Sequence, residues 1–262
     1  MLSKLLASTL NVAVVSPSYS LAPEKAFPAA VEDAFNPVSW LSSKESLRTL
    51  DSSFSRQRVS IMGDSAGGNL ALVIGTLIRD DLAADLKPRN DLYQAKNNSL
   101  DVRLSSLLLF YPLVEPEMHL LDENEELDEA STESKILPRN VMKFFASSYL
   151  PAGEHDNMIA LLQCNPICIG IRDDARRDRR VNILGSSLLL EDLPPTLIVT
   201  AGKDILLPEN LKLASRLKQS RVVLHHLHYP DYQHGWISFV GHEKEELLEE
   251  INLLIHGTNH RL

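Results

Sequence analysis

The sequence predicts an α/β fold built on a mostly parallel sheet. Two observations predict it: short apolar runs rich in β-branched residues recur along the chain, and stretches of helical character separate them. Runs of this kind, bounded by Gly, Pro or polar turns, are typical of strands that are buried on both faces. The chain has 262 residues, of which 44% are hydrophobic, so it can bury a substantial core.

The elements follow each other in alternation. The predicted strands are Val12–Val15, Val59–Met62, Leu107–Tyr111, Leu197–Thr200 and Val222–Leu227. The predicted helices are Pro28–Leu41, Ala66–Asp80, Pro208–Lys218 and His242–Ile255. Proline suits the first turn of a helix, as at Pro28 and Pro208. In an open sheet of this type, ligands bind beyond the carboxyl ends of the strands.

Two stretches interrupt the alternation. Residues 81–102 are polar and rich in turn residues, which indicates a surface loop. Residues 115–193 contain a predicted short helix near Pro138–Tyr149 and are too long for a plain connection. We therefore expect a single domain, residues 1–262, in which 1–114 and 194–262 form the core and 115–193 form a lid or cap.

The net charge of −9 lies in one segment. Between Glu115 and Glu133 there are nine acidic residues and no Lys or Arg, and the other 26 acids equal the 26 basic residues of the chain. The acidic segment and the Arg-rich Arg172–Arg180 are both expected to be solvated. A nucleic-acid-binding surface needs clustered positive charge, so no nucleic-acid partner is expected.

Compartment signals are few. The two cysteines, Cys164 and Cys168, lack the second pair of a zinc site and are expected to be free thiols in a reducing compartment. The apolar run Leu5–Val15 is interrupted by polar residues, which argues against a cleaved signal peptide. No apolar stretch approaches the roughly 20 residues of a membrane span. We expect a soluble, cytoplasmic protein; its oligomeric state is not indicated.

The segment Gly63-Asp64-Ser65-Ala66-Gly67-Gly68 is the most informative in the chain. It follows a predicted strand and precedes a predicted helix, and Gly-x-Ser-x-Gly in that context makes a sharp turn that exposes the serine hydroxyl. Ser65 is therefore the candidate nucleophile. The N–H of Ala66, at the start of the helix, is a candidate oxyanion donor. The spacing fits neither a dinucleotide fingerprint nor a phosphate loop.

A serine nucleophile needs a base and an orienting carboxylate, which in this architecture follow in the order Ser, acid, His. Asp204 comes after the strand Leu197–Thr200, and His234 comes after the strand Val222–Leu227. Because the carboxyl ends of parallel strands meet at one edge of a sheet, we expect both side chains near Ser65.

Two further histidines, His226 and His228, share one face of a predicted strand and could bind a metal. No third ligand is evident, so an exposed strand face is the preferred interpretation. No metal and no organic cofactor is predicted.

With these residues in hand, the chain resembles the hormone-sensitive-lipase-like family of α/β-hydrolases, which are carboxylesterases and lipases. Four blocks carry the likeness: Tyr19–Glu24 with Phe27–Ala34, the serine turn Gly63–Leu70, Leu193–Asp204, and His234-Gly235-Trp236. The resemblance implies an α/β-hydrolase fold and Ser65, Asp204 and His234 as a catalytic triad. Ser20 stands where the family usually has Arg.

The front of the chain departs from the family. A His-Gly-Gly-Gly loop that supplies most of the oxyanion hole is expected upstream, yet the first glycine here is Gly63. In the sheet, the strand leading into that loop would lie between the strands Val12–Val15 and Val59–Met62. Without it, these two strands could pair directly, another chain could supply the missing strand, or the sequence could be an incomplete product of a longer gene. We favour an N-terminally truncated, poorly stable product.

The expected function is hydrolysis of small or medium acyl esters through an acyl-enzyme, with a small-molecule ester as the partner. The alternative is a catalytically impaired fragment or pseudoenzyme that binds a small ligand in the same pocket. Hydrolysis of amides is a third, weaker possibility, because the same triad could serve it.

Overall fold

The structure is a computed structural model. It describes residues 2–50, 54–80, 102–120, 133–150, 178, 180–184, 190–238 and 244–257. The cysteines, all but the last residue of the predicted loop 81–102, and most of the acidic and Arg-rich segments lie outside these residues.

The described residues form one parallel sheet in the order β1-β2-β3-β4. The strands are β1 (Val59–Asp64), β2 (Leu104–Phe110), β3 (Thr196–Lys203) and β4 (Leu224–Gln233). Leu108 of β2 is paired with Met62 on one side and Leu197 on the other, so its strand is internal. The sheet confirms four of the five predicted strands and the α/β-hydrolase architecture that they imply.

Helices cover both faces of the sheet. They are α1 (Leu2–Leu10), α2 (Ala29–Leu41), α3 (Lys44–Thr49), α4 (Ala66–Asp80), α5 (Arg139–Tyr149), α6 (Leu207–Gln219) and α7 (Lys244–His256), with 3₁₀ helices at Pro116–Leu120 and Trp236–Ser238. Helices α2, α4 and α6 pack on the face that carries Leu107 and Ile198. Helices α1 and α7 pack on the face that carries Leu108 and Val199. Both faces of the sheet are therefore buried under helices, as strands with continuous apolar runs require.

Two predicted strands are longer than their apolar runs. β3 continues to Lys203 and β4 to Gln233, so Pro230 lies inside β4. Proline is tolerated there because β4 is paired with one described strand only, β3. Asp204 and His234 consequently follow directly after the last residues of their strands.

The N-terminal segment forms a helix that the sequence analysis missed. Leu6 and Leu10 of α1 are buried against the sheet. The helix ends at Leu10, and the φ of 50° at the following Asn11 lies in the left-handed region common after a helix C-terminus. The imidazole of His256 on α7 lies 2.8 Å from the carbonyl oxygen of Leu10, which joins the two helices of this layer.

The prediction of a strand at Val12–Val15 is wrong. These residues carry no regular structure, and Val14 and Val15 are 38% and 45% exposed. A β-branched run forms a strand only where a neighbouring strand supplies hydrogen-bonding partners. Among the described strands, β1 pairs with β2 alone, so residues 12–15 and β1 have not closed up against each other.

The region after β2 packs on the core through its own small clusters. Leu120 of the first 3₁₀ helix contacts Ala146 and Leu150 at the end of α5. Met142 of α5 contacts Leu206 at the start of α6.

No helix among the described residues has both the length and the apolar character that crossing a membrane requires.

Candidate active site

The turn between β1 and α4 holds Ser65 in a strained conformation. Its φ is 56°, a left-handed value that non-glycine residues rarely adopt. The turn is also tight, because a Cβ on Gly63 would lie 2.0 Å from the carbonyl oxygen of Gly67. Only glycine fits at that position, and the chain reverses sharply enough to put the Ser65 side chain above the sheet.

Three side chains from three strand ends meet here. The Oγ of Ser65 lies 2.8 Å from Nε2 of His234, and Nδ1 of His234 lies 2.8 Å from Oδ2 of Asp204. Asp204 is 1% exposed and His234 is 8% exposed. The structure thus brings together the three residues that the sequence predicted, although they are 30 and 169 residues apart along the chain.

The second oxygen of Asp204 is also engaged, since Oδ1 accepts the backbone N–H of Leu206 at 3.0 Å. A carboxylate with both oxygens bonded cannot rotate freely. It fixes the proton of His234 on Nδ1 and leaves Nε2 free to accept a proton from Ser65.

Tyr111 forms one wall of the site. It comes directly after β2, has a φ of 35°, and its ring lies against the His234 imidazole. Burial, and then the charge of Asp64, raise the pKa of Tyr111 well above its ordinary value. Its hydroxyl therefore stays protonated and does not compete with His234 as a base.

Ala66, the candidate oxyanion donor, is the first residue of α4 and is exposed. The first N–H groups of a helix have no partner within the helix, and the helix dipole makes this end favourable for negative charge. The position is suited to an anion next to Ser65.

Several buried polar residues around the site were not found by the sequence analysis. Asn69, Asn210 and Glu209 are each at most 3% exposed, and all three bind backbone groups of the segment after β2. A usable signal was the position of Glu209, an acidic residue in the first turn of the helix that follows Asp204, on the face that also carries Leu213 and Leu217.

His226 and His228 lie away from this site and share one hydroxyl. Thr200 Oγ1 is 3.0 Å from Nε2 of His226 and 2.9 Å from Nδ1 of His228. In the part of the chain that the structure describes, no group of three or more His, Cys, Asp or Glu side chains could hold a metal ion.

Ser20, which replaces the Arg expected from the resemblance, binds the carboxylate of Asp33. Its backbone N–H donates to Oδ2 at 2.9 Å, and its hydroxyl donates to the same oxygen. The substituted side chain therefore ties the loop before α2 to that helix.

A family model described as alpha/beta hydrolase fold matches residues 1–238. The chain belongs to this α/β-hydrolase family. The match covers most of the chain and confirms the family resemblance that the four sequence blocks predicted.

Similar proteins are named as a deacetylase and as an ester hydrolase. Arylacetamide deacetylase from Oryctolagus cuniculus is 29% identical over 261 residues, covering 92% of this chain and 64% of the relative. Neutral cholesterol ester hydrolase 1 from Bos taurus is 24% identical over 273 residues, covering 89% of this chain and 61% of the relative. The chain thus spans less than two thirds of the length of these relatives.

Solved structures give the same result for this α/β-hydrolase. A hyperthermophilic esterase from the archaeon Pyrobaculum calidifontis is 28% identical and superimposes with a TM-score of 0.69. The alignment covers 97% of this chain and 68% of the esterase.

Proposed function

We propose that this chain is a serine carboxylester hydrolase. The observation that carries the proposal is the pair of hydrogen bonds that runs from Ser65 through His234 to Asp204, each 2.8 Å long. A hydroxyl, an imidazole and a buried carboxylate in this order are the groups needed for nucleophilic attack on an acyl carbon. The esterase and hydrolase names of the relatives support the same reaction class.

The roles follow from the geometry. His234 takes the proton of Ser65 as the hydroxyl attacks the ester carbonyl, and the imidazolium is stabilised by Asp204. The tetrahedral oxyanion accepts from the N–H of Ala66. His234 then protonates the leaving alcohol, and water, activated by the same imidazole, cleaves the acyl-Ser65 ester and releases the acid.

The substrate class is an ester with a small or medium acyl group. The relatives named arylacetamide deacetylase and neutral cholesterol ester hydrolase 1 support hydrolysis at an acyl carbon as the reaction class. The proposed lid comprises residues 115–193, of which the structure describes α5 and the 3₁₀ helix Pro116–Leu120, while most of the remainder lies outside the described residues.

A second candidate is a protein that binds a small ligand in the same pocket without turning it over. One observation favours it: residues 1–62 contain no glycine, so this stretch does not offer a Gly-rich loop that could add oxyanion donors. Removing one such donor typically slows turnover by about 10²–10³-fold.

Burst kinetics with a chromogenic acetate or butyrate ester test the proposal. The wild-type chain is expected to release a burst of chromophore equal to the enzyme concentration, and Ser65→Ala abolishes it. A fluorophosphonate probe is expected to label Ser65 in the wild type only. Binding of the ester without chromophore release, together with no labelling of Ser65, would support the second candidate instead.

A further inference from the structure

The segment after β2 holds the backbone of Ser65. We call residues 111–115 the strap. The N–H of Ser65 donates to the carbonyl oxygen of Phe110, the last residue of β2, at 2.9 Å. The N–H of Leu113 in the strap donates back to the carbonyl oxygen of Ser65 at 3.2 Å. The strained serine is therefore held from outside its own turn.

Helix α6 holds the other side of the strap. Asn210 Nδ2 donates to the carbonyl oxygen of Pro112 at 3.0 Å, and the N–H of Val114 donates to Oε1 of Glu209 at 2.6 Å. Helix α6 begins three residues after Asp204. The strap thus connects Ser65 with the helix that begins shortly after the orienting acid, Asp204.

The Glu209 carboxylate has a second buried partner. Its Oε2 lies 2.9 Å from Nε2 of His119, whose side chain is completely buried. A buried carboxylate is tolerated only when its oxygens are hydrogen-bonded. Here Oε1 accepts from the Val114 N–H of the strap, and Oε2 is hydrogen-bonded to the His119 imidazole. His119 therefore sets the orientation in which Glu209 can reach Val114.

We propose that Glu209 is a positioning residue for Ser65: through the Val114 N–H it fixes the strap, and the strap fixes the serine relative to His234. This inference rests on the proposed role of Ser65 as nucleophile. Glu209 does not touch the reacting atoms. It acts through the strap alone, and His119 keeps it in place.

Removal of the carboxylate is expected to act on turnover rather than on substrate binding. In Glu209→Ala the Val114 N–H has no acceptor, and a displacement of the serine by about 1 Å costs on the order of 10²-fold in kcat. KM is expected to stay within about twofold, because the strap interaction serves the transition-state geometry. In Glu209→Gln the amide oxygen still accepts from Val114, so most of the activity returns.

A second His–Glu pair provides the matched control. Glu250 on α7 lies 3.0 Å from Nδ1 of His225 and does not contact the strap. Glu250→Ala removes the same chemical group from a partly exposed His–Glu pair. It is expected to leave kcat and KM unchanged.

Crystal structures of the wild type and of Glu209→Ala provide a readout that does not depend on turnover. The proposal expects the Ser65 Oγ to His234 Nε2 distance to exceed the 2.8 Å of the intact site. An unchanged distance, or a folded Glu209→Ala with wild-type kcat, overturns it. So does Glu209→Gln if it is as impaired as Glu209→Ala.

If Glu209→Ala does not fold, Glu209→Asp replaces it, since the shorter side chain keeps the charge but draws back from the strap. A loss of about tenfold in kcat supports the proposal, and wild-type kcat overturns it. A wild type with no esterase activity would overturn the proposed function instead, and the crystallographic distance would then decide the positioning role by itself.

Discussion

The centroid of the Tyr111 ring lies 4.8 Å from the centroid of the His234 imidazole, and the two ring planes are inclined at 58°. The contact is made by a residue with a left-handed backbone, directly after an internal strand. The ring therefore limits the rotation of the imidazole, which Asp204 holds at one nitrogen only.

Two replacements of Tyr111 distinguish the contribution of its ring to kcat from the contribution of its hydroxyl. Tyr111→Phe keeps the ring and should retain kcat within about twofold. Tyr111→Leu removes the aromatic contact, worth about 0.5–1.5 kcal/mol, and should lower kcat by up to about tenfold. Steady-state kinetics with a chromogenic butyrate ester measure both. Equal activity of the Leu and Phe variants would contradict a positioning effect of the ring.

Asp204→Asn tests the orienting carboxylate. The amide NH₂ group would donate to Nδ1 of His234, so the imidazole proton would move to Nε2. A protonated Nε2 cannot accept the hydroxyl proton of Ser65. We expect kcat to fall by about 10⁴-fold, the loss typical of a triad with the wrong tautomer. Asp231→Asn is the control, because that side chain is 88% exposed and pairs only with Lys203 among the described contacts. More than a tenth of wild-type activity in Asp204→Asn would be incompatible with this role.

Two glycines of the serine turn are expected to differ in their tolerance of a methyl group. A Cβ at Gly63 would lie 2.0 Å from the Gly67 carbonyl oxygen, whereas a Cβ at Gly67 would have Asp64 Oδ1, at 4.0 Å, as its nearest contact. Gly63→Ala should lower the free energy of unfolding by about 3 kcal/mol or more. Gly67→Ala should change it by less than about 1 kcal/mol. Thermal denaturation of both variants checks the difference, and coincident melting curves would refute it.

Much of the fold could be predicted because its signals are local. The runs that became β1 to β4 are continuous in the sequence, and the Gly-x-Ser-x-Gly turn has a strand before it and a helix after it. The placement of Ser65, Asp204 and His234 at one edge of the sheet then follows because each comes after the carboxyl end of a parallel strand. These inferences need no knowledge of distant contacts.

The errors have a different physical origin. Val12–Val15 has the composition of a strand, but strand formation depends on an adjacent hydrogen-bonding edge that composition does not encode. The strap contacts of Asn69, Glu209 and Asn210 are side chain to backbone bonds between distant segments, and such bonds leave no periodic pattern. Polar residues close in sequence to a predicted catalytic residue are the signal by which such bonds could have been anticipated.

The N-terminal helix supplies a test of the corrected N-terminus. Leu10 is 2% exposed in the layer formed by α1 and α7, and Leu10→Ala should cost about 2–5 kcal/mol of unfolding free energy. Val15 is 45% exposed, and Val15→Thr should change stability by less than about 0.5 kcal/mol. Guanidinium denaturation measures both. A large loss at Val15 would indicate a buried strand at that position after all.

His226 is expected to make stability pH-dependent. Burial, then the charges of His228 and Lys218, lower the pKa of His226 below its ordinary 6.5. The unfolded chain therefore binds this proton more readily than the folded chain. Stability is unaffected well above pH 6.5 and is lost as the pH falls from about 6.5 toward the lower pKa of the folded state.

Denaturant unfolding at about pH 7.5 and about pH 5.5 measures this loss. In His226→Gln the difference between the two pH values should be smaller than in the wild type, because the titrating group is gone. In His228→Gln it should be intermediate, since burial still lowers the pKa of His226 while one of the two positive neighbours is removed. The Thr200 hydroxyl, shared by both rings, can donate to only one of them. An identical pH dependence in wild type and His226→Gln would assign the loss to another group.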